Sequence, residues 1–195
     1  LKTLKKIGIF GGSFDPVHNA HLALALLAKI EYKLDKVIFV PARRPPHKKN
    51  KNLTSSGHRL NMLKIALKPF PPFTISRYEL NRERSTYTYQ TIIWFSRLYA
   101  NSQIFFIMGS DSLSELATWK KPELILSSCA IITGKRTGIS LKNNKYKESI
   151  LFLKKPIANI SSSRIRKNIV QGKSIKGLVP VKVLQYIKRN NLYNE

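Results

Sequence analysis

Two histidines three residues apart, His18 and His21, follow a glycine pair in the string Gly11-Gly12-Ser13-Phe14-Asp15-Pro16-Val17-His18-Asn19-Ala20-His21-Leu22. On a helical or near-helical backbone, residues at this spacing lie on one side of the turn. Glycine allows close backbone approach and φ values that a side chain would forbid. The pattern describes a phosphate-sized hollow at a strand end, where backbone N–H groups, a helix dipole and two imidazoles face an anion. A second string, Ser161-Ser162-Ser163-Arg164-Ile165-Arg166, offers hydroxyls, helix-start N–H groups and an arginine one turn in, all suited to phosphate oxygens. Each string alone has a plainer reading: most Gly-Gly pairs mark turns, and Ser161 is a natural N-cap on a basic helix. A zinc site needs three or four ligands. Besides the pair, the chain has only His47, His58 and Cys129, and no Cys/His cluster. Neither a Walker loop nor a Gly-x-Gly-x-x-Gly fingerprint is present. Phosphate handling by backbone and imidazoles remains.

The elements that must position these groups follow from periodicity. Ile7, Ile9 and Phe10 read as a short buried strand broken by the glycines, with Asn19 capping a buried helix over about 19–32. Lys36–Pro41 has strand length and ends in a basic loop that Pro45-Pro46 hold extended. Arg43, Arg44, His47 and Lys48 there either reach a substrate phosphate or form a solvated charge run. A helix over 55–67, a strand over 74–80 and a helix over 90–99 follow. Next come a strand over 103–108 that ends in Gly109-Ser110-Asp111, a short helix from Glu123, and a strand over 129–133 that ends in Gly134-Lys135-Arg136. Residues 137–149 read as a surface excursion. Gly172 stops the helix begun at Ser161, and an amphipathic helix over 179–188 closes the sequence. Strands alternating with helices imply an α/β fold with a mainly parallel sheet and right-handed crossovers. Such sheets bind ligands at the strands' carboxyl ends, so the turns after Phe10, Pro41, Met108 and Thr133 should share one edge.

At 195 residues, 43% hydrophobic and 23% charged, the chain fits a single domain over 1–195 that buries roughly 70% of its unfolded surface. No apolar run reaches the roughly 20 residues of a bilayer span. The basic stretch 1–6 leads into a strand instead of a signal-peptide core. A lone cysteine suits a reducing, cytoplasmic setting. Thirty-five Lys and Arg against ten Asp and Glu give a formal charge of +25, which would attract any polyanion. The basic residues are spread along the chain, no RNA- or DNA-reading motif accompanies them, and no nucleic-acid or membrane partner is expected. Nothing in the sequence sets an oligomeric state.

The first string resembles the Gly-Gly-x-Phe-x-Pro-x-His-x-Gly-His signature of the nucleotidyltransferase superfamily that contains the nicotinate-nucleotide adenylyltransferases, with Ala20 where the signature has glycine. The second is similar to that family's Ile-Ser-Ser-Thr-x-Ile-Arg motif, with Ser163 at the threonine. Ser85-Thr-Tyr-Thr88 and Ala117-Thr118-Trp119-Lys120 look like its Tyr-Thr and Thr-Trp segments. The resemblance implies a Rossmann-like, doubly wound α/β fold with helices on both faces. It also implies adenylyl transfer from ATP to nicotinate mononucleotide, with Mg²⁺ carried mainly by the ATP phosphates and no protein metal site. Gly11, Gly12, Ser13 and Phe14 would line the ATP site, with Gly109, Asp111 and Arg136 near the nucleotide. His18 and His21 would stabilise charge at the α-phosphate, and Ser161, Ser163 and Arg166 would hold the departing phosphates. Trp119 would stack on the pyridine ring, and the N–H groups of Thr88 and Lys120 would meet the nicotinate carboxylate. Two kinds of rival remain: an enzyme of the same superfamily acting on the amide nucleotide or on phosphopantetheine, and a basic nucleic-acid-binding protein that leaves the histidines idle.

Overall fold

The computed structural model describes residues 4–45, 53–134, 146 and 150–194. Apolar runs of strand length build a six-stranded, all-parallel sheet: β1 (Lys5–Gly12), β2 (Lys36–Pro41), β3 (Phe73–Ile75), β4 (Ser102–Met108), β5 (Ala130–Thr133) and β6 (Ile150–Phe152). Their order is β3-β2-β1-β4-β5-β6, so the chain winds outward in both directions from β1. Between β1 and β4 the direction of winding reverses, and a crevice opens at the strand ends.

Alternate residues of the central strands feed two cores. Phe10, Phe39, Phe105 and Ile107 face α1 (Asn19–Glu31), α2 (Ser56–Leu67), α6 (Ser162–Val170) and α7 (Val181–Arg189). Ile9, Ile38, Phe106 and Met108 face α3 (Thr88–Leu98), α4 (Ser110–Ser114) and α5 (Pro122–Ser128). Burial on both faces explains why these strands are continuous apolar runs and not alternating ones.

The structure corrects several expectations. Gly11 and Gly12 do not break β1; they pair with Val40 and Pro41 as its last two residues. Neither has positive φ; the left-handed residue of this turn is Phe14, at φ 48°. Strand β3 stops at Ile75, because 77–81 turn back on themselves through the Asn81 N–H to Arg77 carbonyl bond. The cap of α1 is His18, not Asn19, whose side-chain amide instead donates to the Gly177 carbonyl at 2.8 Å. Strand β6 has only three residues after a Lys- and Asn-rich stretch, too short to show a period.

Candidate active site

The turns after β1, β4 and β5 and the start of α6 meet around a pocket of about 230 Å³ at the switch point. Its lining includes Gly11, Gly12, Ser13, His18, His21, Gly109, Asp111, Ser161, Ser163 and Arg166. The two strings, about 150 residues apart in sequence, form one site. Helices α1 and α6 both begin at this pocket with no acidic residue in their first turns. Their positive dipole ends favour an anion between them.

Each histidine closes the other's backbone. His18 Nδ1 accepts the His21 N–H and His21 Nδ1 accepts the His18 N–H, both at 3.3 Å, a reciprocal capping box built of imidazoles. The rings stack with centroids 3.6 Å apart and planes at 15°. With both Nδ1 atoms accepting, the neutral rings carry their protons on Nε2, as donors.

Beneath them the glycines make room. A Cβ on Gly12 would lie 3.1 Å from the Phe14 ring, and one on Gly11 3.4 Å from the Phe106 ring, on the other face of the sheet. Phe14 lies one layer below the pocket instead of lining it. Its ring is 1% exposed, edge-on to His21 at 5.1 Å and to Phe10 at 5.4 Å. An aromatic residue in the left-handed region costs about 1–3 kcal/mol and persists because its packing over-determines it. At the C-terminal motif, Ser161 Oγ accepts the Arg164 N–H, and Arg166 donates to the Asp15 carbonyl at 2.6 Å and to Ser163 Oγ at 3.4 Å. Ser110 lines the pocket, and its buried hydroxyl has no hydrogen-bond partner among the described residues.

Thr88, Trp119 and Lys120 form a second group beside this pocket. Lys120 Nζ stands 4.5 Å over the Tyr87 ring and Lys121 Nζ 5.3 Å over Tyr89, joining the Trp119 turn to the start of α3. Thr88 is the first residue of α3, where N–H groups lack intrahelical partners. Phe106 links the groups, with its ring against Gly11 on one side and edge-on to half-buried Trp119 at 6.4 Å. His47, Lys48 and Arg136 lie outside the described residues.

Sequence reasoning missed Arg59. Only 1% exposed, it donates to the carbonyls of Thr54, Ser13, Ala42 and Arg43 at 2.7–3.2 Å, tying the loops after β1 and β2 to the start of α2. Its signal was an arginine in the buried series Arg59, Met62, Leu63, Ala66 of one helix face. Asp15, wholly buried, was likewise passed over inside the motif.

Glycines, paired imidazoles and a serine-arginine helix start at the switch point of a doubly wound parallel sheet suit nucleotide phosphates, and comparison with known proteins places the chain among the nucleotidyltransferases. The cytidylyltransferase-like family model matches residues 9–168. A probable nicotinate-nucleotide adenylyltransferase of Carboxydothermus hydrogenoformans is 42% identical over 96% of this chain and 98% of its own. The Bacillus subtilis nicotinate-nucleotide adenylyltransferase is 38% identical over 97% and 99%. A Plasmodium falciparum nicotinic acid mononucleotide adenylyltransferase, solved in complex with NaAD, superposes with a TM-score of 0.81 at 25% identity, covering 97% of this chain and 98% of that one. The chain belongs to the nicotinate-nucleotide adenylyltransferase family. Among the described residues no helix is long and apolar enough to cross a membrane.

Proposed function

We propose that the chain transfers the adenylyl group of ATP to the 5′-phosphate of nicotinate mononucleotide, yielding deamido-NAD and pyrophosphate. The observation that carries this reading is the convergence of both phosphate-binding strings on one pocket at the switch point, beside the Thr88–Trp119 group. An oxygen of the nicotinate mononucleotide phosphate attacks the α-phosphorus of ATP. The bond to the β-bridging oxygen breaks, and its electron pair leaves with pyrophosphate. The attacking phosphate is already nucleophilic, so the protein's task is positioning and charge stabilisation.

In this reading Gly11, Gly12 and Ser13 carry the backbone along the nucleotide. The Nε2 donors of His18 and His21 meet the charge that grows at the α-phosphate. Ser161, Ser163 and Arg166 hold the β- and γ-phosphates, with the α6 N–H groups behind them. Gly109 and Asp111 face the nucleoside, where the Asp111 carboxylate can accept from ribose hydroxyls. Trp119 stacks on the pyridine ring, and the Thr88 and Lys120 N–H groups receive the nicotinate carboxylate. An amide presents N–H donors to those same donors, which is the basis of choosing acid over amide. Asp111 and Glu115 are the carboxylates among the pocket-lining residues, so the donor set fits Mg²⁺ delivered on the ATP phosphates and their waters. The 195 residues work as one nucleotidyltransferase domain in the cytoplasm.

The test is to incubate the protein with ATP, Mg²⁺ and nicotinate mononucleotide and follow deamido-NAD by mass. Equimolar deamido-NAD and pyrophosphate are expected; ATP hydrolysis without a dinucleotide product contradicts the reading.

A further inference from the structure

Asp15 lies at the centre of a hydrogen-bond chain running from the segment after α7 to the pocket. Its carboxylate takes the Tyr193 hydroxyl on Oδ1 at 2.7 Å and the Thr54 N–H on Oδ2 at 3.2 Å. Its carbonyl takes Nη1 of Arg166 at 2.6 Å, and the carbonyl of the next residue, Pro16, takes the Ser162 hydroxyl at 3.0 Å. Asp15 thus holds Tyr193 with its side chain and Arg166 with its backbone.

Two observations indicate that this arrangement is enforced. Tyr193 sits at positive φ, 69°, a left-handed conformation that an aromatic residue keeps only where packing over-determines it, whereas Asn191, at 47°, is an ordinary left-handed stop after α7. Leu192 and Tyr193 pack against the core under α1, α2 and α7. Burial, and next the Asp15 charge, push the Tyr193 phenol well above its ordinary value, so it stays a donor. A buried carboxylate stripped of a donor seeks another. The Arg166 guanidinium already rests on the same residue's carbonyl.

We propose that Tyr193 is a positioning residue for phosphate binding: by satisfying the Asp15 carboxylate it keeps Arg166 directed at the phosphates of ATP. This rests on the assignment of Arg166 above. Without the Tyr193 hydroxyl, Asp15 competes with ATP for the arginine.

The test variant is Tyr193→Phe, which keeps the ring and removes only the hydroxyl. Diversion of one charge-assisted Arg166 hydrogen bond from ATP corresponds to a KM for ATP raised about 10-fold. The KM for nicotinate mononucleotide stays within about twofold, and the dissociation constant of ATP measured by calorimetry rises in step with the KM for ATP. In an Arg166→Lys background the same change has little further effect, since Tyr193 acts through the guanidinium. An unchanged ATP affinity overturns the proposal. So does an equal loss for both substrates with a lowered melting temperature, or an additive effect in the Arg166→Lys background. Should the wild type bind ATP but make no deamido-NAD, the proposed function fails, while the ATP titrations of wild type and Tyr193→Phe still decide this point.

Discussion

The imidazoles of His18 and His21 lie face to face, 3.6 Å between centroids, each ring nitrogen Nδ1 accepting the other residue's backbone N–H. The pair caps α1, and both residues line the pocket. In the proposed function, stability and chemistry are therefore linked at these two residues.

Replacing His21 by alanine removes one Nε2 donor and half of the capping box. The turnover number should fall about 10²–10³-fold, the usual loss for a donor aimed at developing transition-state charge. Unfolding free energy should fall by only about 1 kcal/mol, the worth of a cap. Denaturant melts beside steady-state kinetics separate the two. A large stability loss with intact turnover would reverse the assignment.

The two glycines should differ. An added methyl at Gly12 meets the Phe14 ring at 3.1 Å, and Phe14 is wedged between Phe10, Phe39 and His21. At Gly11 the methyl meets Phe106 at 3.4 Å. Gly12→Ala should destabilise by about 1–3 kcal/mol, as overpacked sites do, and Gly11→Ala by less. Urea midpoints of the two variants check the order.

Arg59→Met should leave the carbonyls of Ser13, Thr54 and Ala42 without this donor and cost about 3 kcal/mol or more. Arg59→Lys should recover only part of it, because an ammonium cannot fork across carbonyls on three segments. Thermal melts of both variants test this.

Glu79 is buried under α3 and accepts the Thr91 hydroxyl at 2.6 Å. Burial raises its carboxyl from 4.5 to about 7. The native state therefore binds this proton more tightly than the unfolded chain. Its contribution is full below pH 4.5 and is lost as pH rises through 7. Glu79→Gln keeps the acceptor and cannot ionise. The variant should match the wild type near pH 4.5 and exceed it at pH 8, and a melting-temperature series across that range reads the difference.

The central strands were legible because each ends its apolar run at a turn-forming residue: Pro41 for β2, and Gly109 after Met108 for β4. Ser161 as a cap and Gly172 as a stop were legible from side-chain chemistry alone, and Gly172 does adopt φ 66°. The cap of α1 was not, since Asn19 is the commoner capping type and only the His18–His21 pairing in space favours histidine. The left-handed Phe14 was hidden for a related reason: glycines beside it looked like the residues needing freedom, whereas they supply clearance for its ring. Arg59, Asp15 and Tyr193 act through contacts distant in sequence, such as Arg59 to Ser13 across 46 residues and Tyr193 to Asp15 across 178, which no local pattern encodes. The His18/His21 and Ser161–Arg166 strings were readable as phosphate chemistry, but their union in one pocket needed the fold.

The most direct measurement compares kcat/KM for nicotinate mononucleotide and for its amide counterpart, with ATP and Mg²⁺ saturating and pyrophosphate release as the readout. The account predicts an acid preference of more than about 10-fold, reduced on Trp119→Ala, because the Thr88 and Lys120 N–H donors select a carboxylate. Equal rates with both nucleotides, or no release with the acid, would contradict it.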